Sequence, residues 1–188
     1  MIRETIVTTQ SPDGRIHIAP IGLIVEEEGF VIAPFRPSQT LENLRVNPHA
    51  VANYTDDVLV FAGCLTGRRD WPTRPADRIP GAVLSSALAH AELSVERVSE
   101  HPERPRFHCC VVHEANHAAF HGFNRAQAAV VEAGILVSRL HMLPIEKIDR
   151  EIGYLTIAIE KTAGLRERQA WDWLMERVAA FKQEAASG

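Results

Sequence analysis

Arg36, Ser38 and Thr40 stand in the segment Pro34-Phe-Arg-Pro-Ser-Gln-Thr-Leu-Glu-Asn-Leu44, between an alternating apolar run and a short helical pattern. A guanidinium and two hydroxyls therefore meet where a strand hands over to a helix N-terminus. Free backbone N–H groups, the positive end of the helix dipole and charge-assisted donors make such a junction an anion site. A phosphate-bearing cofactor is the natural guest. The plainer alternative is that Ser38 or Thr40 only caps the helix and Arg36 is a solvated turn residue.

The stretch Val51-Ala-Asn-Tyr-Thr-Asp-Asp57 favours the first option. Asn53 ends a strand with an amide that donates and accepts, suited to the polar edge of a heterocycle. The same Asn/Asp cluster also reads as ordinary turn chemistry. Gly122-Phe-Asn-Arg-Ala126 offers a second anion site, with Asn124 as cap and Arg125 in the first turn. An ordinary cap beside an exposed arginine is the alternative there.

Histidines crowd one stretch: His108, His113, His117 and His121, with Cys109 among them. His113-Glu-Ala-Asn-His117 matches H-E-x-x-H, with Glu114 as the would-be base. The run before it is β in character, and Phe120, Gly122 and Phe123 after it suit no catalytic helix. On a strand, His113 and His117 share a face but lie about 13 Å apart, too far to hold one zinc. The expectation is no metal, with a His-dependent metalloenzyme kept as the third functional reading. No G-x-G-x-x-G, P-loop or G-x-S-x-G motif occurs.

The chain has 188 residues, 46% hydrophobic and 23% charged, with a net charge of −4. That is globular composition, long enough for one domain with an appendage or two small ones. The charge points away from nucleic acid as a partner. No apolar leader opens the chain, and the apolar run near 126–137 is too short to span a bilayer, so no membrane partner is expected. Cys64, Cys109 and Cys110 make no disulfide framework, which suggests a reduced, cytoplasmic protein.

These residues need a scaffold of strands followed by helices. Alternation predicts strands at 2–9, 16–25 and 30–33, separated by Asp13-Gly14 and Glu26-Glu-Glu-Gly29 turns. A helix over 38–46 stops at Asn47-Pro48, and a strand follows over 49–54. Asp56 or Asp57 caps a helix over 58–65. Residues 68–81, rich in proline, read as a surface loop. Strands over 86–99 and 106–114 follow. The C-terminal third turns helical: 125–140, then a helix from Pro144 with Ile145, Ile148, Ile152, Leu155 and Ile159 on one stripe. The last helix carries Trp171, Leu174, Val178 and Phe181 on one face. Residues 185–188 are a frayed tail. The helix after Asn124 is apolar almost all round, and a subunit interface is the economical place to bury it, with Glu132 paired or facing a cavity. The expected class is α+β, with a barrel domain at 1–122 and a helical subdomain at 123–188.

Ala33-Pro-Phe-Arg-Pro-Ser-Gln-Thr40, Asn43-Leu44, Asn53-Tyr-Thr-Asp-Asp57, Phe123-Asn-Arg-Ala126 and Glu160-Lys-Thr-Ala-Gly164 carry a further observation. Over nearly its whole length the sequence resembles an uncharacterised flavoprotein family, domain of unknown function 447. The resemblance implies an FMN-binding split β-barrel with a C-terminal helical part, similar to pyridoxamine-phosphate oxidases and flavin reductases. It implies FMN at the interface of a homodimer, with the phosphate near Arg36, Ser38 and Thr40. Pro34, Phe35 and Asn43 belong to the same motif. The flavin ring would lie near Asn53 and Thr55, and Asn124 and Arg125 would come from either subunit. The histidine-rich stretch 113–121 departs from the family pattern. Members occur in methanogenic archaea and in bacteria that handle one-carbon units on tetrahydromethanopterin. The implied activity is a flavin-dependent oxidoreductase acting on a small-molecule substrate or electron donor. The alternative is a non-enzymatic flavin-binding or scaffold protein of a one-carbon pathway. Flavin would supply the redox chemistry, so no acid–base pair or nucleophile need appear.

Overall fold

The computed structural model describes residues 1–186. Six strands close a barrel: β1 (Ile2–Gln10), β2 (Ile16–Glu26), β3 (Gly29–Ile32), β4 (His49–Tyr54), β7 (Ala89–Ser99) and β8 (Arg106–Asn116). Their order is β1-β2-β3-β8-β7-β4, with β1 pairing β4 to complete the ring. Every pairing is antiparallel, so hairpin turns suffice for three of the connections. Closure leaves no unpaired edge on the barrel. Val7, Leu23, Ile32, Ala52, Leu93 and Phe107 are buried in its core. At the β2–β3 turn Gly29 has φ +148°, and a Cβ there would come 2.2 Å from the Cys109 carbonyl oxygen. Only glycine lets this turn lie against β8.

Helix α1 (Gln39–Val46) starts at the Ser38 cap, whose hydroxyl accepts the Leu41 N–H, and it ends at Asn47 before Pro48. Leu41 and Leu44 enter the barrel core. The 68–81 segment differs from the expected loop. It contains β5 (Thr73–Pro75), which pairs with β6 (Ala82–Leu84) as a separate hairpin. Val83 and Leu84 are buried. These strands are three residues long, with Pro75 ending β5, so they carry no alternation to read.

The chain divides into two compact units: Met1–Thr55 with Arg69–Phe120, and Asp56–Arg68 with the residues from His121 onward. The second unit holds α2 (Val58–Leu65), α3 (Arg125–Val137), α4 (Ile145–Thr162) and α5 (Leu165–Ala186). A 3-10 turn at Leu140–Met142 takes the place of the last turn expected for α3. Ala126, Ala129, Val130, Ala133 and Val137 of α3 share a core with Val58, Ile148, Ile159, Trp171 and Leu174. The apolar girth of α3 therefore has an intrachain explanation, because α2, α4 and α5 pack around it. Gly134 sits against Leu65 of α2, where a Cβ would come within 2.9 Å of its side chain.

Asp57 precedes α2 but makes no side-chain cap. Its carboxylate instead meets Arg166, with Nε at 3.1 Å and Nη2 at 2.5 Å. Helix α5 runs through Ala186, so 185–186 are helical. The remainder of the expected tail, 187–188, lies outside the described residues. Among the described residues, no helix is long and apolar enough to cross a membrane.

Candidate functional site

The β3–α1 junction gathers the first set of candidates. Pro34 is buried, whereas Phe35 and Arg36 are exposed. Two anchors hold this segment. The Arg36 N–H donates to the Glu103 carbonyl at 2.9 Å, and the Arg104 guanidinium donates to the Ala33 carbonyl at 2.8 and 3.1 Å. The same guanidinium lies 4.3 Å from the centre of the Phe35 ring, a cation–π contact. Arg36 reaches Glu100 at 2.8 Å, and Arg45 on α1 reaches the other oxygen of Glu100 at 2.5 Å. The Arg45 hydrogen bond, with Arg36 beside it, holds the Glu100 carboxyl below the ordinary carboxylate range. Two guanidiniums on one carboxylate leave a positive charge over within this trio.

At the helix start, the Leu41 N–H is taken by the Ser38 hydroxyl and the Glu42 N–H by the Ser38 carbonyl. The N–H groups of Gln39 and Thr40 donate to no protein acceptor among the described residues. The Thr40 hydroxyl likewise has no protein partner, although Thr40 is only 3% exposed. Two backbone donors and one hydroxyl therefore remain available at a positive helix end. Sequence reasoning missed Arg45, Glu100 and Arg104, because the latter two enter from the connection between β7 and β8.

Asn43 and Asn53 are placed differently from that set. The Asn43 amide donates to Thr9 at 3.0 Å and accepts from Gln39 at 2.9 Å, tying α1 to β1. Asn53 is fully buried. Its amide donates to the carbonyls of Ile6 and Val51 and accepts the Leu84 N–H at 2.7 Å. It is the pin that fastens the β5–β6 hairpin to the barrel, helped by the Thr8 hydroxyl on the Ala82 carbonyl. The Thr55 hydroxyl donates to the Ser86 carbonyl. In the second unit, Asn124 caps α3 by accepting the Ala126 N–H, and it donates to the Thr162 carbonyl at the end of α4. Arg125 is exposed in the first turn of α3.

The histidines come together in a way that strand rise along β8 did not anticipate. β8 ends at Asn116, and the His117 N–H donates to the Leu88 carbonyl, which keeps His117 beside the start of β7. The His117 ring stacks on His90 at 5.0 Å between centroids, and His113 meets His90 edge-on at 5.8 Å. His90, on the neighbouring strand β7, is the centre of the group. Burial pushes the His117 imidazole below its ordinary range, and the charge on Arg74 adds to that.

Comparison with known proteins now decides the family. The model for the N-terminal domain of DUF447, a protein family of unknown function, matches residues 3–118, and the model for the remainder of that family's sequence matches 124–176. The chain belongs to the DUF447 family. An FMN-bound DUF447 protein from Methanosarcina mazei has the same fold, with TM-score 0.83 at 21% identity over 94% of each chain. The 2-nitrobenzoate 2-nitroreductase of Pseudomonas fluorescens matches 61% of this DUF447 chain and 64% of its own, with TM-score 0.52 at 18% identity. An FMN-binding protein from Thermus thermophilus matches 60% and 69%, with TM-score 0.51 at 14% identity. These likenesses establish the FMN-binding split-barrel fold for the DUF447 chain. No curated protein matches it.

Proposed function

We propose that this chain holds FMN and works as a flavin-dependent oxidoreductase on a small-molecule substrate or electron donor, as a homodimer with the flavin at the interface. The observation that carries this reading is the β3–α1 junction. The N–H groups at Gln39 and Thr40 and the Thr40 hydroxyl, without partners among the described residues, form with the Arg36–Glu100–Arg45 trio a donor set fit for a phosphate. The M. mazei relative with the same fold is FMN-bound, and other proteins of this fold bind FMN or act as reductases. Arg36, Ser38 and Thr40 would hold the phosphate, with Pro34 and Phe35 as the adjoining wall. Asn124 and Arg125 stay candidates for a second anion contact. Asn43, Asn53 and Thr55 act by positioning β1, α1 and the β5–β6 hairpin around the site. Bound flavin supplies the electron transfer, and the chain's task is to hold and orient it. The exposed Phe35, and Tyr154 and Ile157 on α4, are apolar surface that a second copy would cover. A role in tetrahydromethanopterin-type one-carbon metabolism rests on the family resemblance alone. Turnover with nicotinamide or deazaflavin donors separates an oxidoreductase from a non-enzymatic flavin carrier.

The phosphate assignment has a direct test. Charge-assisted hydrogen bonds contribute about 1.5–3 kcal/mol each. Ser38→Ala combined with Thr40→Ala is expected to weaken FMN at least about tenfold, at about 1.4 kcal/mol per decade. Riboflavin, lacking the phosphate, is expected to bind the parent weakly and to be indifferent to the double substitution. Equal weakening of both ligands would mean that losing the Ser38 cap had loosened the fold. Equal affinity of the parent for both would remove the phosphate site.

A further inference from the structure

On the opposite face of β7 from the barrel core, His90 and Glu92 are buried, with 1% and 0% exposure. Glu92 is wrapped by the backbone of the hairpin loop. Its carboxylate accepts the N–H groups of Asp77 at 2.6 Å, Arg78 at 2.8 Å and Ile79 at 3.0 Å. That same loop delivers the Asp77 side chain. His113, on β8, stands directly opposite Glu92. One donor atom from each of Asp77, His90, Glu92 and His113 lies within 4.8 Å of all the others.

We propose that Asp77, His90, Glu92 and His113 bind one divalent transition-metal ion of the zinc class. His90 Nε2 lies 3.3 Å from Glu92 Oε1 and 3.8 Å from Asp77 Oδ2, and His113 Nε2 lies 3.5 Å from Asp77 Oδ2. Four ligands about 2.0–2.1 Å from a tetrahedral zinc stand about 3.3–3.4 Å apart, so small side-chain shifts close the set. Two imidazoles and two carboxylates favour zinc-like ions over magnesium or calcium. The Asp77 and Glu92 carboxylates supply the two negative charges that a divalent ion balances. The ligand His90 is itself held in place. His90 Nδ1 lies 2.8 Å from His117 Nε2, which orients the ring so that Nε2 faces the cluster, and the Arg74 guanidinium lies 2.9 Å from that same His117 nitrogen. Asp77 and His113 are partly exposed, which leaves the ion an entry path. This ligand set is distinct from the H-E-x-x-H reading, since Glu114 takes no part and His117 serves as a support.

Full-length, tag-free protein would be stripped with chelator, dialysed against cobalt(II) or zinc(II), and measured by elemental analysis, visible absorption and thermal melting. One ion per chain, four-coordinate cobalt bands and a zinc-dependent rise in Tm are expected. His113→Ala, and the half-exposed Asp77→Asn if the first variant folds poorly, should each weaken zinc by at least about tenfold. Removal of the supporting His117 should cost about 10–100-fold. His141→Ala, in the exposed 3-10 turn of the helical unit, should change nothing. The proposal is overturned by substoichiometric metal, by an unchanged Tm at saturating zinc, by retention in both ligand variants, or by loss in His141→Ala.

Discussion

Cys109 illustrates how an environment sets a single residue's chemistry. The sequence places adjacent cysteines on opposite faces of a strand, and the structure buries Cys109 in the barrel while Cys110 stays partly exposed. Burial, with Cys110 beside it, pushes the Cys109 thiol up to about 12. Since the thiolate is the nucleophile, Cys109 is neutral throughout the pH range 7–9. Native protein treated with iodoacetamide at pH 8 is expected to leave Cys109 unmodified, whereas denatured protein alkylates fully, as peptide mass spectrometry would record. Modification of Cys109 at equal rates in both states would contradict its burial. Residue types with chemical potential were legible at this scale, but their partners were not. Arg36 is readable as a cation. Nothing in its neighbourhood discloses Glu100 and Arg104, which arrive some 64 to 68 positions later.

Elements were legible where both ends carry punctuation. β4 lies between Asn47-Pro48 and the Asp pair, and α2 between that pair and Gly67, so both were read at their observed bounds. The β5–β6 hairpin has no such pattern, because side chains from distant strands fix it. Asn53→Ala tests this. It strands the buried Leu84 N–H and the Ile6 carbonyl, at about 1–3 kcal/mol for each unsatisfied group. Denaturant unfolding should show a loss of at least about 2 kcal/mol, with faster amide exchange in 73–84. A variant as stable as the parent would mean that the hairpin is held by other means. The histidine cluster was illegible for a related reason. The β7–β8 register passes from Glu92↔His113 to Leu93↔Val111 and skips Val112, a bulge that turns His113 to the face of Glu92. Simple alternation from Phe107 and Cys109 assigns it to the opposite face.

For the whole molecule, the order of strands and helices was readable, but which pieces belong together was not. The apolar α3 announced that it must be covered and left open by what. The cover comes from α4 and α5, which follow it, and from α2, which precedes it by some 60 residues and is reached before the second half of the barrel is made. The chain passes between its two units three times, at 55/56, 68/69 and 120/121.

That threading makes the two halves complementary fragments. A protease cut after Phe120 would separate 1–120 from the remainder covalently, yet the longer piece keeps α2, whose Val58 and Ala62 are locked among α3 and α5. Nicked protein is expected to run as one species on gel filtration and to separate only in denaturant. Expressed alone, 1–120 should aggregate, since α2 would present bare apolar surface. Added back in trans, the helical fragment should rescue its solubility. A soluble, well-folded 1–120 would show that α2 does not need that cover. Two such fragments, each fused to half of a reporter, would form a split protein whose reassembly is driven by a single eight-residue helix finding its socket.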